Sequence, residues 1–180
     1  MRNSEQLFNG LADIGVCSTG QRYMHGQSRD LSFLIKIWKR WPEYLIEHSG
    51  EAIGLLRKHL SAKDIHTLFQ NDIFLDHQYF EKNVETDATC FAVGSAKGVI
   101  NIPDWGVAKI YTFNDSKVEI HCGERSIVNV ESYDNSSIDI TGSGKVIVHQ
   151  YDKSIASGNA NIIKESIDRG LVFNGKEIEE

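Results

Sequence analysis

Apolar residues recur at two different spacings along this chain, and the change between them falls near its middle. Up to about residue 70 the spacing is helical. Ser4 is placed to cap a helix through about Asp13, with Leu7, Leu11 and Ile14 on one stripe and Gly15 as its stop. Asp30 caps a second segment, Leu31 to Arg40, in which Leu31, Leu34, Ile37, Trp38 and Trp41 share a face. Pro42 suits the first turn of a helix running to about His48, and Gly50 separates it from one over Glu51 to Leu60. Ser61 with Asp64 opens a last helix that turns Ile65, Leu68 and Phe69 inward. Between Phe74 and Glu85 the pattern weakens, and the chain crosses to a sheet.

Beyond that point the period is 2, as in Val118-Glu119-Ile120, Val128-Asn129-Val130, Ile138-Asp139-Ile140 and Val146-Ile147-Val148. A longer repeat lies over it. At a step of 20, Ile100, Ile120 and Ile140 fall in register, as do Cys90, Ile110 and Val130, and Val93, Phe113 and Tyr133. Tyr151-Asp152-Lys153-Ser154 repeats Tyr133-Asp134-Asn135-Ser136 after a step of 18. Hairpin sandwiches give no reason for the same residue class to return at the same step, whereas a coil stacked on its own copies does. The expected architecture is therefore α+β: an N-terminal helical cap domain over residues 1–84, then a short β-solenoid of about four rungs over 85–180. Ile162 to Glu180, with Leu171-Val172-Phe173, is expected to finish the last rung.

Charge sharpens this division. Residues 1–84 carry 10 Lys+Arg against 10 Asp+Glu, whereas residues 85–180 carry 9 against 15, which accounts for the whole net charge of −6. An acidic solenoid disfavours nucleic-acid backbones, which require a cationic face. No stretch approaches the roughly 18 to 20 apolar residues of a membrane span, and Met1 to Glu5 lacks the apolar block of a secretion signal. Cys17, Cys90 and Cys122 match no disulfide framework or zinc spacing, so reduced thiols in a cytoplasm are the expectation.

Candidate chemistry is sparse. The corner residues Asn114, Asp134 and Asp152, with Ser116, Ser136 and Ser154, could align oxygen ligands for a hard cation or a sugar hydroxyl, but such residues ordinarily bond their own backbone at tight turns. Phe113, Tyr133 and Tyr151 form an aromatic ladder best explained as packing. Ile140-Thr141-Gly142-Ser143-Gly144-Lys145 resembles the end of a phosphate loop only superficially, because a strand and not a helix follows. Lys36-Ile37-Trp38-Lys39-Arg40-Trp41 interleaves bases with aromatics, yet at helical spacing both tryptophans join the apolar stripe. The loop Gly20 to Arg29 gathers the densest set of functional side chains, with Arg22, Tyr23, His25 and Arg29 as candidate contacts beside Asp134 and Asp152. Cys17 and His25 could form a nucleophile and base only if the fold joins them. The seven histidines show no metal spacing. Neither metal nor cofactor is expected, and an enzyme is the less favoured class.

Gly15 to Gly20 and Trp41-Pro42-Glu43-Tyr44, followed by rungs of the Tyr133-Asp134-Asn135-Ser136 type and an alternating Ile138–Ile140 pair, resemble small uncharacterised β-solenoid proteins of phages and bacterial mobile elements. The repeats are also broadly similar to polymer-forming solenoids of the bactofilin type. What this resemblance implies is a module that binds or sequesters a host factor, with no catalytic residues carried over. The leading expectation is a non-enzymatic protein-binding or assembly module. Its partner would be another protein or a second copy, not a membrane or nucleic acid, with a small-molecule ligand still possible. The alternatives are an enzyme for acyl transfer or saccharide processing on a β-helix, and a self-assembling structural protein.

Overall fold

The computed structural model describes residues 6, 7, 9–11, 14 and 30–167, the side chains of 43–47 and 167 aside. The chain divides into two compact units, residues 1–73 and 74–180.

In the first unit, α1 spans Leu31–Arg40, α2 Glu43–His59 and α3 Ala62–Gln70. Asp30 caps α1 by accepting the N–H of Phe33 at 2.9 Å. A reciprocal box opens α3: Asp64 Oδ2 accepts the Ser61 N–H at 2.9 Å, and Ser61 Oγ accepts the Asp64 N–H at 3.3 Å. Leu7, Leu11, Leu34, Trp38, Ile53, Leu56 and Leu68 are buried. One local expectation is met here and one fails. The expected break between a helix to about His48 and one from Glu51 falls at His48, whose φ of −131° and ψ of 30° leave the helical region, so α2 is two helical stretches joined at a kink just before Gly50. Trp41 does not join Trp38 in the core. It lies beyond the last turn of α1 with 39 % of its surface exposed, and the Arg40 guanidinium rests over its ring.

The second unit is a parallel β-solenoid. Its strands are β1 (Ile73–Leu75), β2 (Gln78–Asn83), β3 (Ala88–Val93), β4 (Lys97–Ile102), β5 (Val107–Thr112), β6 (Lys117–Cys122), β7 (Ile127–Ser132), β8 (Ser137–Gly142), β9 (Lys145–Tyr151), β10 (Ile155–Gly158) and β11 (Asn161–Ile167). Odd-numbered strands form one sheet, β1-β3-β5-β7-β9-β11, and even-numbered strands the other, β2-β4-β6-β8-β10. Each consecutive pair of strands is one turn, giving five turns with β11 beginning a sixth. The additional turn is the first, in Ile73–Asn83, where a bulge between Gln78 and Phe80 shifts the register and hides the period.

Register follows the repeat. Ile100 pairs with Ile120 and Ile120 with Ile140, while Cys90, Ile110, Val130 and Val148 make the facing column. All seven are fully buried. Burying a side chain of this size is worth about 1.5–3 kcal/mol, and a column repeats that contribution at each rung. Where β7 meets β9 the step contracts, Ile127 facing Lys145, and β9 meets β11 with Lys145 facing Asn161.

Gly142 marks the edge of this regular stretch. Its φ is +109°, and a Cβ there would collide with the Cys122 carbonyl of the neighbouring strand, so only glycine fits. Gly142-Ser143-Gly144 is a turn between strands and Lys145 starts β9, as the strand-like sequence after it predicts.

Candidate functional site

The corners following the odd-numbered strands place one residue per rung in the left-handed region: Asp76, Gly94, Asn114, Asp134 and Asp152. Asn and Asp tolerate that conformation better than other side chains do. Their side-chain oxygens reach neighbouring rungs. Asn114 Oδ1 accepts the N–H of Gly94 at 3.2 Å, Asp134 Oδ2 that of Asn114 at 2.9 Å, and Asp152 Oδ2 that of Asp134 at 3.1 Å. Asn114, Asp134 and Asp152 thus bracket the rung before them, whereas Asp76 Oδ1 accepts the Ser95 N–H of the rung after it at 2.7 Å. Among the serines, Ser136 Oγ donates to the Tyr133 carbonyl of its own turn at 2.6 Å and meets Thr112 and Ser132 in a buried hydroxyl cluster, whereas Ser154 Oγ donates to the Ser132 carbonyl of the preceding rung at 2.8 Å. Asp134 and Asp152 are therefore engaged in holding the coil. Arg22, Tyr23, His25 and Arg29, together with Cys17, lie outside the described residues.

Beside these corners the rings of Phe113 and Tyr133 stack with centroids 5.1 Å apart, and Tyr133 and Tyr151 at 4.4 Å. Tyr133 Oη donates to Glu131 Oε2 at 2.5 Å. Burial, and after it the hydrogen bond and charge of Glu131, push the Tyr133 hydroxyl well above the usual phenol range, so it stays protonated and acts as a donor. Glu131, His149 and Glu165 are register neighbours on the outward face, with His149 Nε2 3.5 Å from Glu165 Oε2. Among the described residues no group of three or more His, Cys, Asp or Glu could hold a metal ion. Cys90 and Cys122 are buried free thiols, and burial pushes Cys122 up to about 11, which makes it a poor nucleophile.

The opposite corners differ. They precede β5 and β7, where Trp105 (φ 60°) and Arg125 (φ 56°) occupy the left-handed position. A bulky residue there is strained. Trp105 N–H donates to the Glu124 carbonyl at 2.8 Å, Asp104 Oδ1 accepts the Glu124 N–H at 2.7 Å, and the Arg125 guanidinium sits 4.5 Å from the Trp105 ring centroid. Two residues beyond each, Val107 and Ile127 are register partners pointing outward. Exposure is 65 % for Trp105, 52 % for Ile127 and 41 % for Val107. Lys109 lies on β5 two residues past Val107, and Lys145 is the next register partner of Ile127. Among the described residues Lys109, Arg125 and Lys145 have no carboxylate partner. The result is an exposed apolar patch with Trp105 held at its corner, flanked by the cations Lys109, Arg125 and Lys145 and by the exposed acidic residues Asp104 and Glu124. The signal for it was present: Trp105 and Arg125 are one step of 20 apart, and Val107 and Ile127 alternate out of phase with the buried Ile110 and Val130.

No helix among the described residues is long and apolar enough to cross a membrane. Comparison of the chain with protein-family models, with curated proteins and with solved structures gives no match.

Proposed function

We propose that this chain is a non-enzymatic binding module whose solenoid docks an acidic, partly apolar segment of another protein on the Trp105 corner. The carrying observation is the exposure of Trp105, Val107 and Ile127 on neighbouring rungs, with Lys109, Arg125 and Lys145 nearby in register and Asp104 engaged by the Glu124 N–H. Trp and Arg dominate interface hot spots because they bury large area at modest entropic cost, and unpaired border cations favour an acidic partner in encounter and in register. A rigid coil holds these groups in place before binding, which lowers the ordering cost. A place in a phage or mobile element, with a host factor as the partner, is supported by the likeness of Gly15–Gly20, Trp41–Tyr44 and the Tyr133–Ile140 repeat to such proteins.

The test is selection of random displayed peptides on the full chain. Enrichment of Asp/Glu with Leu, Phe or Trp is expected, with affinity that falls as salt rises. Trp105→Gly, which relieves the left-handed strain and so keeps the fold, is expected to weaken the selected peptides by roughly 30-fold or more. Selection without acidic enrichment, or peptides that bind Trp105→Gly unchanged, would overturn the reading. Concentration-dependent light scattering abolished by the same variant would identify a second copy as the occupant instead.

A further inference from the structure

The exposed apolar surface does not end at the Trp105 corner. On the outward face of the odd-numbered sheet Val107 pairs in register with Ile127, and Ile147 with Ile163. Ile127 and Ile147 are diagonal neighbours, because Ile127 faces Lys145 and Ile147 stands two residues further along β9. Val107, Ile127 and Ile163 are 41 %, 52 % and 45 % exposed, and Ile147 is half-buried. Four aliphatic side chains therefore form one stripe across β5, β7, β9 and β11. It covers three strand spacings of about 4.8 Å along the coil and two residues of about 3.3 Å along the strands, a diagonal of roughly 16 Å. The coil does not use it for its own core, which Ile110, Val130 and Val148 fill from the other face of the same strands.

Charge is distributed unevenly around the stripe. Lys109, two residues past Val107, and Lys145, the register partner of Ile127, stand on opposite sides of it. Neither has a carboxylate partner among the described residues. The acidic residues lie elsewhere or are taken up. At the corner Arg125 is more than offset by the exposed Asp104 and Glu124. One row further along the strands, Glu131 accepts the Tyr133 hydroxyl, and Glu165, beside Ile163, lies 3.5 Å from His149 Nε2. A ligand on the stripe therefore meets unpaired cations on its two flanks and occupied carboxylates past its far end.

We infer, resting on the docking function proposed above, that the partner's segment is an amphipathic α-helix of about three turns laid along this stripe. The face offers no strand edge, since β5, β7 and β9 are paired on both sides. An extended segment pressed on it would bury backbone N–H and C=O groups with nothing to bond, which costs free energy at each group. A helix carries those bonds within itself. At a rise of about 1.5 Å per residue, roughly 11 residues cover the 16 Å diagonal, and side chains at i, i+3, i+7 and i+11 share one face. Those four anchors match the four aliphatic groups of the stripe. Acidic residues on both flanks of the helix meet Lys109 and Lys145, and none is placed opposite Glu165, where like charges would repel.

Two displayed peptide libraries of about 14 residues, selected on the full chain, test it. One varies apolar and acidic positions in an Ala/Gln helical background, and the other is identical except for a central proline. Binders are expected from the first alone, with apolar residues at i, i+3, i+7 and i+11. Proline placed centrally in the tightest of them is expected to weaken it about a hundredfold. Ile163→Asp, on the exposed face and outside the buried column, is expected to weaken these binders roughly tenfold or more. Lys145→Glu, equally exposed, is expected to weaken the acidic binders and spare neutral ones. Binders that tolerate the central proline, or that ignore both Ile163→Asp and Lys145→Glu, would overturn the helix while leaving docking at Trp105 in place. So would binders from the random selection with none from the helical library. Failure of every selection would remove the docking function and the helix with it. Concentration-dependent association of the chain alone, lost in Ile163→Asp, would assign the stripe to a second copy and overturn the inference.

Discussion

Asp134 Oδ2 accepts the backbone N–H of Asn114, twenty residues earlier, at 2.9 Å. This bond ties two corners of successive rungs, as a capping side chain ties a free N–H at a helix end. Asp134→Ala leaves that donor without its acceptor and is expected to cost about 1–2 kcal/mol. Asp134→Asn should retain most of the stability, because Asn114 already makes the equivalent bond to Gly94. Urea denaturation of the two variants checks this, and equal losses in both would refute the bracket.

Ile120 sits between Ile100 and Ile140 in the buried column. Ile120→Ala is expected to cost roughly 2–5 kcal/mol and Ile120→Val about 0.5–1.5 kcal/mol. Glu119→Ala, on the outward face of the same strand, should stay within about 0.5 kcal/mol. A denaturation series in which Glu119→Ala is as damaging as Ile120→Ala would contradict the assigned faces.

Gly142→Ala combines a positive φ with a collision against the Cys122 carbonyl. A loss of roughly 2 kcal/mol or more is expected, well beyond an ordinary glycine substitution. Thermal melting decides it, since an unchanged Tm would show that the two strands separate there at little cost.

Cys122 has its thiol pushed from 9.0 up to about 11 by burial. The folded state therefore favours the neutral thiol more than the unfolded chain does. That contribution is complete below about pH 9 and is lost as pH rises toward 11. The stability advantage of wild type over Cys122→Ala should shrink across this interval, measured by denaturation at pH 8 and at pH 11 (roughly one unit below the ordinary thiol value and two above it). A constant or growing advantage would show that the thiol is not desolvated.

The solenoid was legible because a buried column demands one residue class at a fixed step, and Ile100, Ile120 and Ile140 satisfy that demand in sequence as in space. The first turn was not, since the extruded Tyr79 breaks the register between β2 and β4. Local signals were read well at Asp30 and at the Ser61–Asp64 box, where cap and partner are three residues apart. The expected break before Gly50 is present as the kink at His48. The oxygen ladder was seen as a ladder, but its bonding direction depends on which rung supplies the N–H, and composition carries no such information. The Trp105 patch is not specified by the repeat, because a fixed step sorts positions into inward and outward without saying which outward side chains lie together. Of the candidate site residues, Asp134 and Asp152 are corner brackets, and the Gly20–Arg29 set lies outside the described residues.

The corner bracket also bears on how such a coil changes in length. A segment of twenty residues contains one acceptor and one donor, so tandem duplication of that segment delivers both partners of a new junction together. Growth by whole modules needs no fresh invention at the corners, whereas deletion of a single residue within a rung would invert inside and outside for the strand that follows. Descent of such a chain therefore favours lengthening and shortening in whole coils over gradual trimming.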